Sequence, residues 1–79
     1  MDKIPELGAR LRAARKRRFP NDDLAAFALR IGVARATLQK MENGDLSVSM
    51  GRYYAAARRL GLGEGFQALF EQPGSMFDD

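Results

Sequence analysis

Residues 32–44, Gly-Val-Ala-Arg-Ala-Thr-Leu-Gln-Lys-Met-Glu-Asn-Gly, form a segment bracketed by two glycines that constrains the fold more than any other. Wound as a helix at about 100° per residue, it places Ala34, Thr37, Leu38 and Met41 on one side. Arg35, Ala36, Gln39 and Lys40 fall on the opposite side, with no acid among them. The first face must be buried by neighbouring elements. The second is rich in cationic and amide donors around one small residue, so a short helix has to be held with one face in the core and the other in solvent.

The chain has 79 residues, enough for one small domain whose core is only marginally sufficient. Cysteine and histidine are both absent, which removes disulfides, thiolate metal sites and the commonest general base. No close carboxylate pair lies on an apolar background and no glycine-rich phosphate loop is present, so the chain is not read as an enzyme and no cofactor is expected. The start, Met-Asp-Lys-Ile-Pro-Glu, has no apolar leader stretch, and no run approaches a membrane span. A soluble cytoplasmic protein is expected. The net charge of +3 is unevenly spread. Residues 10–40 carry nine Arg or Lys against Asp22 and Asp23, whereas residues 41–79 carry three Arg against six acids. A basic block of this kind suits a polyanionic partner.

The chain reads as five helices with no alternating, strand-like run. The first spans Pro5 to about Arg18, with the stripe Leu7, Leu11 and Ala14, and Phe19-Pro20-Asn21 breaks it. The second covers about Asp23 to Ile31, capped by Asp22 or Asp23, with Leu24, Phe27, Ala28 and Ile31 on its core face. Gly32 ends it, and Asn43-Gly44 ends the third. Ser47 or Ser49 caps a fourth, about Met50 to Leu60, that buries Tyr53, Ala56, Ala57 and Leu60. A fifth, about Glu64 to Glu71, carries Phe66, Leu69 and Phe70.

Two helices joined by a glycine turn, the second with a basic outer face, make a helix-turn-helix. Leu7-Gly8-Ala9-Arg10-Leu11-Arg12-Ala13-Ala14-Arg15, Phe27-Ala28 with Gly32-Val33, Thr37-Leu38 and Met41-Glu42-Asn43-Gly44 together resemble the Xre/Cro (lambda-repressor-like) DNA-binding family. The resemblance spans about residues 5–70. It implies an all-α, five-helix lambda-repressor-like domain with a central helix-turn-helix over residues 1–72, followed by a C-terminal tail at 73–79. It also implies that Arg35, Ala36, Gln39 and Lys40 read base edges. Arg and Lys suit guanine O6 and N7, Gln suits adenine N6 and N7, and Ala suits the thymine methyl. Thr37 and Asn43 match positions near phosphate, and Lys16, Arg17 and Arg18 would add backbone contacts.

Arg15 falls on the packed side of the first helix, where an unpaired cation is costly. The family pairs an arginine there with the glutamate of the Glu-Asn-Gly string, which is Glu42 in this chain. Other positions depart from the family. Asp23 and Leu24 stand where a hydroxyl cap and a glutamine are usual. The loop Phe19–Asp22 is about two residues longer, and Ala34 replaces a frequent serine cap.

Residues 41–53 and 57–62 resemble antitoxin-like regulators that accompany HipA-type kinases. That subgroup implies a homodimer that represses its own operon at a palindromic double-stranded DNA operator, with a toxin kinase as a possible second partner. The alternative function is an antitoxin whose main role is to hold that kinase. Phe66, Phe70, Met76 and Phe77 form an apolar surplus at the C-terminal end, expected to serve a dimer seam or a partner.

Overall fold

The computed structural model describes residues 2–73, and Met76 and Phe77 lie outside the described residues. The elements are α1 (Pro5–Arg18), α2 (Leu24–Ile31), α3 (Arg35–Glu42), α4 (Met50–Arg59) and α5 (Glu64–Gln67). All are helical, and among the described residues the extended pairing is limited to one antiparallel bridge, Lys3 to Asp45.

Local chemistry accounts for most of the boundaries. Pro5 opens α1, where its missing N–H costs nothing, and four basic residues fill the last turn against the negative helix end. Asp23 is the cap of α2, its carboxylate accepting from the Ala26 N–H at 2.8 Å. Gly32 closes α2 at φ 74°, a left-handed conformation that glycine adopts without steric cost. Ser49, rather than Ser47, caps α4 by accepting from the Arg52 N–H.

Two boundaries and one burial differ from the sequence reading. The bracketed segment is helical only over Arg35–Glu42, because Gly32, Val33 and Ala34 are spent on the turn between α2 and α3. Leu7 does not close against the core and remains exposed at the margin of a groove. The fifth helix is a single turn, Glu64–Gln67, not a run to Glu71. It has Gly63 as an uncapped start and Gly65 inside, so it lacks both a side-chain cap and helix propensity.

The core is formed where α3 packs between α1 and α2, with α4 closing against α2. Phe27, Leu38 and Met41 are its largest fully buried side chains, joined by Ala28, Tyr53, Ala56 and Leu60. Leu11, Ala14, Leu24, Ile31 and Phe66 pack around it half-buried. Ala57 is only half-buried and lines an apolar groove instead of the core.

Two glycines set how closely the pieces approach. A Cβ on Gly8 would lie 2.3 Å from the Glu42 carbonyl oxygen, so α1 crosses the end of α3 at backbone contact. Gly44 sits at φ 75°, and a Cβ there would lie 1.9 Å from the Ile4 carbonyl oxygen. The N-terminal arm can therefore pair with the α3–α4 loop, Ile4 N–H donating to Gly44 O at 2.9 Å and Leu46 N–H to Asp2 O at 3.2 Å.

Candidate nucleic-acid interface

The outer face of α3 follows from its inner one. Leu38 and Met41 are fully buried, and Thr37 is half-buried beside them. With 3.6 residues per turn, that anchoring turns Arg35, Ala36, Gln39 and Lys40 outward, and all four are exposed. Two cations, one amide and one methyl thus share a face without an acid. The N-cap, Ala34, has an extended backbone and no side-chain acceptor for the first-turn N–H groups. Asn43, exposed, is the C-cap, its N–H shared between Gln39 O and Lys40 O at 3.2 and 3.1 Å.

Arg15 holds this helix in place. Its Nε donates to Glu42 Oε2 at 2.6 Å and its Nη2 to Oε1 at 3.2 Å, a bidentate pair with both side chains over nine-tenths buried. The remaining Nη1 donates to the Asp22 carbonyl at 3.1 Å. One guanidinium therefore ties α1 to the end of α3 and to the loop before α2. Lys16, Arg17 and Arg18, all exposed, begin one residue beyond this clamp and continue the basic end of α1.

The longer loop carries a second cluster that the sequence reading missed. Arg30 Nε donates to Asp22 Oδ2 at 2.5 Å, and Nη2 lies 3.3 Å from Oδ1. The Arg30 guanidinium sits 4.2 Å from the centroid of the Phe19 ring, which in turn packs on Phe27 at 5.7 Å. The Arg30 hydrogen bond holds the Asp22 carboxyl below its ordinary value of 3.8 and raises the Arg30 guanidinium in return. The consecutive acids Asp22 and Asp23 were a visible signal, and the structure divides them between an ion pair and a helix cap. The partner of Asp22, eight residues away, has no helical register that would announce it.

Behind α3, the Asp45 carboxylate accepts from the Ser47 N–H at 2.8 Å. Hydrogen bonding from Ser47, with Lys3 and Lys40 adding smaller attractions, lowers its pKa. The Tyr53 hydroxyl donates to the Asp45 carbonyl at 2.7 Å, and burial pushes that phenol up. The loop following α3 is thereby fixed from both sides.

Of the apolar residues expected at the C-terminal end, Phe66 is half-buried and meets Tyr54 edge-on at 5.4 Å, so it serves the fold. Phe70 stands almost fully exposed. Among the described residues no group of His, Cys, Asp or Glu is arranged to hold a metal, and no helix is long and apolar enough to cross a membrane.

No curated protein and no solved structure matches the chain. A family model does, described as a helix-turn-helix domain, over residues 6–69. That span runs from the first turn of α1 through α5 and takes in the whole outer face of α3. The α2–Gly32–α3 geometry and this match together make the chain a member of the helix-turn-helix domain family, with the architecture of a DNA-binding regulator.

Proposed function

We propose that the protein is a sequence-specific transcriptional regulator that acts as a homodimer and represses its own operon. The observation that carries the reading is the acid-free outer face of α3, exposed over its whole length and backed by fully buried Leu38 and Met41. In this reading α3 enters the major groove. Arg35 and Lys40 donate to guanine, Gln39 pairs with adenine and Ala36 meets a thymine methyl. Lys16, Arg17, Arg18, Thr37 and Asn43 supply the phosphate contacts that set register. A two-fold dimer then reads half-sites about 34–36 Å apart, or a multiple of that. Selection of bound sequences from random duplex DNA by the purified protein tests this. The expected result is an enriched palindrome, and recovery of unenriched DNA would refute sequence-specific reading.

A second reading is favoured by the apolar residues left exposed beside α4 and α5, Met50, Leu62, Leu69 and Phe70. Together with the likeness of residues 41–53 and 57–62 to antitoxin regulators, they support a role in holding a HipA-type kinase. A kinase-like reading frame adjoining this one, whose product co-purifies with the protein, is the expected finding. An unrelated neighbour and no such complex would remove this role.

A further inference from the structure

Among the described residues, two apolar features remain unpartnered at the end of the molecule built from the N-terminal arm, α4 and α5. One is a groove of about 460 Å³ walled by Ile4, Leu7, Leu46, Met50, Leu62 and Leu69, with no charged residue among the described residues that line it. The other is Phe70, which is 93% exposed and sits at φ 67°. A left-handed backbone is unfavourable for a bulky residue, and such positions persist only where something else requires them. Phe70 directly follows the groove residue Leu69 yet is not part of the lining, so its ring stands beside its own groove without entering it.

We propose that the Phe70 ring fills the groove of a second copy of this chain, each copy giving one ring and receiving one. The inference rests on the dimeric reading above and names its contact. A two-fold pair brings residue i of one copy to residue j of the other and the converse. Groove facing groove would enclose a void, so a self-complementary contact needs a projection beside each concavity. Phe70 is such a projection, and aromatic anchors in desolvated pockets are the usual centres of binding energy. Charge points the same way. The basic block of residues 10–40, nine cations against two acids, contributes no residue to the groove, so copies that meet there do not press their basic blocks together. The uncharged groove lets them meet without burying like charges, and it leaves the outer face of α3 uncovered.

The absence of cysteine makes the contact directly testable. Phe70→Cys and Met50→Cys are made as separate proteins, both at exposed positions. When the two are mixed under mild oxidation, the expected product is the mixed disulfide. Only Phe70→Cys self-linked product, or no cross-link, would overturn the proposal. In parallel, sedimentation equilibrium of the full chain is expected to show a dimer that Phe70→Ala weakens about tenfold or more. At a concentration where both proteins are monomeric, the Phe70→Ala melt should match the parent, because the side chain is exposed within one copy. A dimer indifferent to Phe70→Ala overturns this contact and leaves the dimeric regulator standing. A chain that stays monomeric even on operator DNA overturns both. A dimer that forms only after residues 74–79 are removed would assign the groove to those residues and also overturn the proposal.

Discussion

Arg15 is the buried charge of the described structure, 5% exposed, and its energetics are those of a buried pair. Taking away one partner strands the other in a low-dielectric site, which costs roughly 3–5 kcal/mol. Glu42→Gln should therefore lower stability by about that amount in chemical denaturation, and an unchanged midpoint would show that the pair does not brace the fold. Asp22 and Asp45 act through pH. Both have folded-state pKa values below the ordinary 3.8, so each binds its proton less tightly folded than unfolded. Their contribution is fully present above that ordinary value and is lost as pH falls through the folded values. The melting temperature should drop as pH is taken below about 4, and Asp22→Asn should show a shallower drop. The Arg15–Glu42 partnership could be named from sequence only through the family likeness, since 27 positions separate the two. The Asp22–Arg30–Phe19 cluster could not be named at all. It depends on the longer loop folding back over α2, and nothing in the local pattern specifies that path.

Among the elements, α2 and α4 were legible because their caps are side-chain hydrogen bonds with a strong residue preference, Asp23 and Ser49. Their buried faces were legible from the spacing of Phe27 with Ala28 and of Tyr53 with Ala56 and Leu60. α5 was not. Phe66, Leu69 and Phe70 have helical spacing, but a second turn would need a surface to bury it, and Phe70 finds none within the described chain. The N-terminal arm was equally hidden, because its pairing with Gly44 is a contact between backbones. α3 is also left improvable. Ala34 caps α3 without a side-chain acceptor, and its extended backbone is already that of an N-cap. Ala34→Ser should therefore stabilise the protein by about 1 kcal/mol, read as a rise in thermal midpoint. No gain would mean that the first-turn N–H groups of α3 are already satisfied.

On the scale of the whole molecule, one small core orients a cationic surface. α3 lies between α1 and α2, so a single eight-residue helix gives one face to the core and the other to the cationic surface. The basic end of α1 is attached to the same frame through Arg15. Binding should then have a sequence-independent component that weakens steeply with salt, and Arg17→Ala should lower the slope of log affinity against log salt by about one. An unchanged slope would remove Arg17 from the phosphate contacts. The account turns on whether the outer face of α3 reads bases. The direct measurement is the affinity of the parent, Arg35→Ala and Gln39→Ala proteins for a selected operator and for a random duplex at one salt concentration. The account predicts that each substitution costs about 1–3 kcal/mol on the operator while the weak, salt-sensitive binding to random DNA persists. Equal losses on both duplexes, or none on either, would contradict it.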